Sequence, residues 1–226
     1  MARPVRESKD HMKQRARRIV ALLKRRYPKA ATALHYSTAH ELLVATVLAA
    51  QCTDKKVNEI TADLFKKYHS PKDFAGARKA VLEKEIRQAG FFRNKAKSII
   101  ELSKDVVDRF SGRVPDALDQ LVTLRGVGRK TANVVLAAVF DKPAVIVDTH
   151  MIRLANRLGF TTKQDPVKIE FDLMEVIPKK EWGNFSFMIT LHGRQVCKAR
   201  RPLCHICIIE PCCPSRGLGQ SKHRQA

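Results

Sequence analysis

The chain has 226 residues, which is enough to bury a sizeable core in one domain or in two small ones. Its 43 lysines and arginines outnumber its 22 aspartates and glutamates, and the net charge of +21 favours a polyanion such as nucleic acid over a solvated basic surface or an acidic membrane. No apolar run matches a membrane span or a signal peptide, so we expect an intracellular protein whose cysteines are thiols or metal ligands.

Apolar periodicity predicts helices along the whole chain. Residues 1–10 are polar and are interpreted as a loose tail, followed by a basic amphipathic helix from about His11 to Tyr27. The apolar run Leu42 to Ala50 predicts a buried helix. Further helices are predicted over residues 54–68, from 71 onwards, and over 77–88, 95–110, 115–124, 129–140, 149–158, 166–176 and 182–192. Since the only β-branched run, Ala144 to Val147, is short, we predict an all-α fold, with a polar tail after Pro214.

A tight turn at Gly126-Val127-Gly128 separates two of these helices. We expect both glycines to adopt backbone dihedrals closed to other residues and to bring bare N–H groups close to a ligand. The second helix starts at Arg129, and the positive end of a helix favours an anion such as phosphate. An ordinary helix corner is the alternative, but Lys130 beside the turn and Asp148 after the second helix add an amine and a carboxylate.

Four cysteines near the end of the chain have the spacing of metal ligands. They are separated by six, two and five residues, at Cys197, Cys204, Cys207 and Cys213. Four thiolates suit either a tetrahedral zinc ion or a [4Fe–4S] cluster, and spacing alone does not choose between them. Cys212 is an extra thiol, and the isolated Cys52 is interpreted as a small buried hydrophobic residue instead of a functional thiol.

Two segments carry a family resemblance: LRGVGRKTANVV and, after it, VDTHMIRLANRLGF. They resemble the helix-hairpin-helix and catalytic segment of the endonuclease III family of DNA glycosylase/AP-lyases, and the resemblance extends from about Ile19 to Pro214. It implies that Lys130 is the amine nucleophile and Asp148 its partner carboxylate. The family usually has proline where this chain has Arg125, which makes the turn less stiff and adds a cation able to contact phosphate.

The resemblance also implies a fold of two helical domains with a DNA-binding cleft between them. Residues 31–141 would form a contiguous domain with the helix-hairpin-helix. Residues 1–30 and 142–226 would form the other domain and carry the cysteine loop. Lys130 would then lie on one side of the cleft and Asp148 on the other.

The cysteine spacing matches the iron–sulfur loop of that family and, by this resemblance, implies a [4Fe–4S] cluster held by the four cysteines. Cys213 keeps the matching gap, and Cys212 does not. The loop between the first two ligands carries Lys198, Arg200 and Arg201, which we expect to grip phosphates while the cluster acts as a structural staple. Electron transfer is the alternative role of the cluster.

The activity implied is that of a bifunctional DNA glycosylase/AP-lyase of base excision repair that removes oxidised pyrimidines. Lys130 would attack C1′ of an extruded nucleotide, Asp148 would stabilise the charge developing on the sugar, and β-elimination would cut the strand on the 3′ side. The amine has to be neutral to attack. Crowding by Arg129, the helix end and desolvation under bound DNA would all favour the neutral form.

The remaining expected DNA contacts surround the extruded nucleotide. Gln51 would enter the vacated space, and Phe91 would act as a wedge where an aliphatic residue is often found, unless it is a core residue. Gly126, Gly128 and Arg129 would bind phosphate, and His150 would contact a phosphate or line the pocket unless it is structural. The expected partner is double-stranded DNA containing damaged bases or abasic sites, bound by a monomer in the cytoplasm at the nucleoid.

Two other functions fit parts of the sequence. An adenine-mismatch glycosylase shares the hairpin, the aspartate and the cysteine spacing, but it lacks a lysine at the position of Lys130 and has a further C-terminal domain. A non-catalytic DNA-binding module would use the hairpin and the metal loop only as grips. Borohydride trapping separates these alternatives, because only an enzyme that forms a Schiff base becomes covalently attached to DNA.

Overall fold

The computed structural model describes residues 7–217, and all regular structure within them is helical. The predicted all-α fold is confirmed. The α-helices are α1 (Lys9–Arg26), α2 (Ala39–Leu48), α3 (Asp54–Lys67), α4 (Pro71–Ala75), α5 (Lys79–Glu85), α6 (Phe92–Phe110), α7 (Leu118–Leu121), α8 (Arg129–Ala138), α9 (Thr149–Arg157), α10 (Pro166–Val176) and α11 (Trp182–Gln195). Short 3-10 turns occupy Arg87–Ala89, Lys179–Glu181, Cys204–Ile206 and Glu210–Cys212. In the part of the chain described, no helix is both long and apolar enough to cross a membrane.

The chain divides into two compact units. One, the contiguous unit, is Thr32–Lys142, and the other, the two-segment unit, combines Met1–Ala31 with Pro143–Ala226 as far as these residues are described. Both junctions lie one residue later than the boundaries expected from the sequence. Lys130 belongs to the contiguous unit, whereas Asp148 and the four spaced cysteines belong to the two-segment unit.

The contiguous unit is built around α6, which packs against α2, α4 and α5. The apolar run predicted as a buried helix is α2, and it also contacts α3 and α8. Large side chains without exposed surface fill this core, namely Leu42, Leu43, Leu48, Leu82, Ile86, Ile99 and Leu102. Burial of each of these aliphatic side chains stabilises the fold by about 1.5–3 kcal/mol. The core therefore holds in place the start of α8 and the loops at the ends of α2 and α6.

The two-segment unit packs α1 against α10 and α11, and α9 against both of the latter helices. Its core includes Ile19 and Leu23 from α1, Leu154 from α9 and Met188 from α11. The basic helix predicted near the start of the chain is therefore amphipathic, with its apolar side buried. This packing fixes α9, which begins directly after Asp148.

Several helix boundaries differ from those expected. Helix α1 begins at Lys9, because Ser8 caps it by accepting a hydrogen bond from the His11 N–H, so the expected loose tail is shorter. Residues 1–6 of that tail and residues 218–226 of the expected C-terminal tail lie outside the described residues. Helix α6 begins three residues before the expected Lys95, because the Phe91 carbonyl already accepts the Lys95 N–H at 3.1 Å. Helix α7 is a single turn and does not extend over residues 115–124.

Candidate nucleic-acid interface and metal centre

The Gly126-Val127-Gly128 turn is a tight hairpin between α7 and α8. The Val127 N–H donates to the Leu124 carbonyl at 3.1 Å, and both of these residues are buried. Gly126 has φ +76°, in the left-handed region, but Gly128 has φ −87° and ψ 172°. The expectation that both glycines need special dihedrals is therefore wrong, because any residue can adopt the conformation of Gly128.

The surroundings of the two glycines differ. A Cβ on Gly126 would lie 3.0 Å from the Ser98 Cβ, so this position is crowded against α6. A Cβ on Gly128 would meet nothing within 4 Å, so the surface above it is open. Gly128 is also the N-cap of α8, and no side chain caps the first turn. The first N–H groups of α8 are thus available to an anion.

Lys130 lies in this first turn of α8, and its side chain is exposed. Among residues 7–217, the structure gives its amine neither an ion pair nor a hydrogen bond. By contrast, Arg125 at the start of the hairpin is paired, with its Nε 3.2 Å from Glu101 Oε2. An amine without a carboxylate partner beside an open helix start is accessible to an approaching anionic substrate.

Gln51 and Phe91 both have left-handed backbones, with φ 56° and 48°. Both are exposed, and 64% of the Phe91 surface is accessible, so Phe91 is not a core residue. A left-handed conformation costs a residue with a side chain about 1–3 kcal/mol and persists where the surrounding structure enforces it. Only five such non-glycine residues occur in the described chain, and three of them, Gln51, Phe91 and Arg201, are sequence-predicted DNA contacts.

Asp148 is half-buried and caps α9. Its Oδ1 accepts the Met151 N–H at 2.7 Å, and its Oδ2 accepts a hydrogen bond from the Thr190 hydroxyl at 3.0 Å. The capping role was expected from the sequence, whereas the hydrogen bond from Thr190 was not predicted. Thr190 lies 42 residues away on α11, and no local motif marks it.

His150 packs closely against α11. A Cβ on Gly193 would lie 2.9 Å from the His150 Nδ1, so only glycine permits this approach. The Arg153 guanidinium lies 3.1 Å from the same nitrogen and donates to the Gly193 and Cys197 carbonyls, each at 3.0 Å. Burial lowers the pKa of His150, and the Asp148 carboxylate partly opposes this shift. His150 is therefore held within a packed network beside Asp148, and Arg153 was missed by the sequence analysis.

The four spaced cysteines line one shared cavity. Cys212 does not line it and is instead buried in the core of the two-segment unit. Burial raises the pKa of the Cys207 thiol to about 11 and also raises the pKa of Cys213. Within residues 7–217, no group of three or more metal-binding side chains is arranged to hold a metal ion. Four thiols around one shared cavity form a donor set that suits either a zinc ion or an iron–sulfur cluster.

The side chains of Arg157 and His192 contact these sulfurs, and neither contact was predicted from the sequence. Arg157 Nη1 lies 3.2 Å from Cys197 Sγ and 2.8 Å from the Lys198 carbonyl. His192 Nε2 lies 3.3 Å from Cys207 Sγ, and its Nδ1 is 3.1 Å from the buried Tyr27 hydroxyl. Hydrogen bonds of this kind orient ligands and tune the centre that they hold.

The loop between the first two cysteines presents its three cations to solvent. Lys198, Arg200 and Arg201 are exposed, and none has an ion-pair partner within the described part of the chain. The Val196 carbonyl accepts the N–H groups of Lys198 at 2.9 Å and Leu203 at 3.0 Å, which closes the base of the loop. The loop is therefore a compact basic projection suited to phosphate groups.

Comparison with known proteins places this chain among DNA repair proteins. The model of the HhH-GPD superfamily of base excision DNA repair proteins matches residues 44–179. Endonuclease III of Synechocystis sp. is 50% identical over 204 residues, covering 90% of this chain and 93% of its own. Endonuclease III of Bacillus subtilis is 43% identical over 188 residues, covering 83% and 86%. A trapped endonuclease III–DNA covalent intermediate superposes with a TM-score of 0.84 at 41% identity, covering 90% of this chain and 96% of that chain. A thermostable thymine-DNA glycosylase, at 22% identity and a TM-score of 0.81, shares the fold and covers 90% and 97%.

Proposed function

The chain belongs to the endonuclease III family of the HhH-GPD superfamily, and from this premise we propose that Lys130 and Asp148 carry out its chemistry. The protein is a DNA glycosylase with AP lyase activity that acts in base excision repair. The observation that carries the assignment of Lys130 is its exposed amine in the first turn of α8, next to an open anion-binding hairpin.

In the proposed reaction, a damaged nucleotide is extruded from the duplex and the Lys130 amine attacks C1′ of its sugar. The bond between C1′ and the base breaks, and the base leaves with the bonding electrons and takes up a proton. Asp148 stabilises the positive charge that develops on the sugar. The C1′–O4′ bond of the sugar ring then breaks, and O4′ takes up the proton that the Lys130 nitrogen loses, which gives a Schiff base. This Schiff base acidifies the C2′ proton, and loss of that proton expels the 3′ phosphate by β-elimination. Water then releases the enzyme. Oxidised pyrimidines are the proposed substrates.

The proposed DNA contacts are made by exposed basic residues, by the hairpin and by residues with a strained backbone. The hairpin glycines Gly126 and Gly128 and the adjacent Arg129 bind the backbone near the lesion, and His150 helps to line the site. Gln51 fills the space left by the extruded nucleotide, and Phe91 stacks between bases as a wedge. The loop with Lys198, Arg200 and Arg201 grips phosphates.

A [4Fe–4S] cluster is the proposed cofactor, held by Cys197, Cys204, Cys207 and Cys213. The shared cavity and its four thiols fit such a group. When bound, it serves as a structural staple that shapes the basic loop. The Arg157 guanidinium contacts Cys197 and the carbonyls of Lys198 and Ala199, so it links the cluster site to that loop.

Iron analysis tests the ligand set, because the structure distinguishes two adjacent cysteines. Cys213→Ser should lower the iron and sulfide content of the purified protein, since Cys213 lines the cavity. The matched variant Cys212→Ser should retain both, since Cys212 lies in the core. Iron loss in Cys212→Ser with full retention in Cys213→Ser would reject this set.

Two further properties belong to this proposal. The protein is proposed to act as a monomer on double-stranded DNA, and to work in the cytoplasm at the nucleoid, where that DNA is.

Borohydride trapping tests the central assignment. The wild-type protein should become covalently attached to an oligonucleotide with an abasic site, and Lys130→Ala should not, because only a lysine Schiff base can be reduced to a stable amine. Lys104→Ala, at an exposed lysine of α6, is the matched control and should trap like wild type. A wild-type protein that releases damaged bases without trapping would instead be a monofunctional glycosylase. One that binds DNA without either activity would be a binding module.

A further inference from the structure

Lys95 is a buried lysine that the proposed chemistry does not use. Only 5% of it is exposed, and no carboxylate in residues 7–217 pairs with it. Its ammonium donates to two backbone carbonyls, that of Leu48 at 2.9 Å and that of Ala89 at 2.8 Å. Burial lowers the pKa of Lys95, and the nearby Cys52 sulfur partly offsets this. Burying an ammonium group costs free energy, so we attribute the presence of a lysine at this position to these two hydrogen bonds.

The two carbonyls belong to the segments that carry the strained residues. Leu48 is the last residue of α2, three residues before Gln51. Ala89 ends a 3-10 turn, two residues before Phe91. The Lys95 N–H also donates to the Phe91 carbonyl at 3.1 Å. Lys95 therefore bridges both segments. Its contacts with the second segment, at Ala89 and Phe91, lie on either side of Gly90.

From this geometry we infer that Lys95 is a positioning residue that clamps the Gln51 and Phe91 segments together, so that both side chains enter opened DNA as one rigid unit. The inference rests on the proposed function, which assigns gap filling to Gln51 and the wedge to Phe91. It explains how two exposed left-handed residues keep their conformation. Their own side chains are exposed, so enforcement has to come from the backbone beneath them.

The test compares two substrates for the intact, cluster-containing enzyme. Lys95→Met keeps the length of the side chain but removes its donors. It should lower kcat/KM for cleavage of an abasic site in duplex DNA by about tenfold or more, since hydrogen bonds to a charged group are lost. On single-stranded abasic DNA, where no helix has to be opened, it should remain within about threefold of wild type. Lys97→Met, at an exposed lysine on the same helix, should stay within that range on both substrates.

Each outcome decides the inference. Equal losses on the two substrates, or no loss on duplex DNA, would overturn it. Failure of the wild-type protein to cleave either substrate would instead reject the proposed function. A double-mutant cycle with Phe91→Ala adds a second criterion. Lys95→Met should reduce kcat/KM on duplex DNA much less when the Phe91 ring is already absent.

A measurement on the wild-type protein remains decisive if Lys95→Met does not fold. The Cys52 N–H donates to Ala49 and the Gly90 N–H donates to Arg87, so both amides can be followed by hydrogen exchange. A clamp makes the two segments open together, and their protection factors should agree within about threefold. Independent exchange of the two amides, with one much less protected, would contradict the clamp.

Discussion

Asp148 combines two tasks in one carboxylate. One oxygen caps α9, and the other accepts a hydrogen bond from Thr190, so the group has a fixed orientation. Its position after the hairpin and before a helix could be predicted from the sequence. Its orientation could not, because Thr190 is brought to it only by the packing of α9 on α11. The same holds for Arg157 and His192, which reach the cysteines from other helices.

Asp148→Asn separates capping from catalysis. Asparagine caps helices about as well as aspartate, so the free energy of unfolding should change by less than about 1 kcal/mol. Base release should fall by about a hundredfold or more, because the negative charge beside the developing positive charge is gone. Thermal unfolding and a glycosylase assay on the same preparation measure the two effects. Asp148→Ala, which removes the cap as well, serves as the comparison and should also unfold more easily. Full activity of Asp148→Asn would contradict the assigned role.

At the scale of elements, the hairpin between α7 and α8 was predictable from its glycines, but their separate roles were not. Gly126 is fixed by its left-handed backbone and by the contact with Ser98 on α6. Gly128 has an ordinary backbone and faces open space. Sequence spacing treats the two as equivalent, whereas in the structure α6 crowds the Cβ position of Gly126 and the space above Gly128 is open.

Alanine at each glycine should therefore give opposite results. Gly126→Ala should destabilise the protein by about 1–3 kcal/mol, because of backbone strain and the crowded Cβ. Gly128→Ala should change stability by less than about 1 kcal/mol. Its added methyl group should nevertheless weaken DNA binding, by about tenfold, since it would stand between the α8 N–H groups and a phosphate. Chemical denaturation and DNA titration at fixed salt measure these changes. Unimpaired DNA binding by Gly128→Ala would remove the hairpin from the interface.

At the scale of the whole molecule, composition and periodicity were sufficient for the all-α class and most helix positions. Helix ends were missed where a non-glycine residue adopts a left-handed backbone, as at Phe91 before α6. Propensity disfavours that conformation, so only the surrounding structure reveals it. The buried Lys95 was missed for a similar reason, because a lysine within a helical pattern is ordinarily a surface residue.

A buried histidine links the stability of the molecule to pH. His40 Nε2 donates to Ser103 Oγ at 2.9 Å, because that hydroxyl gives its own proton to the Ile99 carbonyl at 2.7 Å. Burial lowers the pKa of His40 from 6.5 to about 4. Between pH 6.5 and 4, the unfolded chain therefore binds a proton at His40 that the folded protein does not bind. The stability contributed by neutral His40 is complete above pH 6.5 and is lost as the pH falls towards 4, at up to about 1.4 kcal/mol per pH unit.

Replacing this histidine should flatten the acid limb of the stability curve. His40→Asn should lower overall stability, but its free energy of unfolding should fall less steeply between pH 6.5 and 4 than that of wild type. Urea denaturation across this range measures the slope. An unchanged slope in His40→Asn would show that this residue does not take part.

The division into a contiguous and a two-segment unit has a consequence for synthesis on the ribosome. Residues 32–142 are contiguous, so this unit is fully translated before the second segment of the other unit begins. Helix α1 emerges earlier, yet its apolar side packs on α10 and α11, and Arg15 donates to the Leu158 and Cys212 carbonyls at 2.7 and 3.4 Å. Helix α1 ends at Arg26, whereas α10 and α11 span Pro166–Val176 and Trp182–Gln195, so the apolar side of α1 stays exposed until these much later residues have been translated.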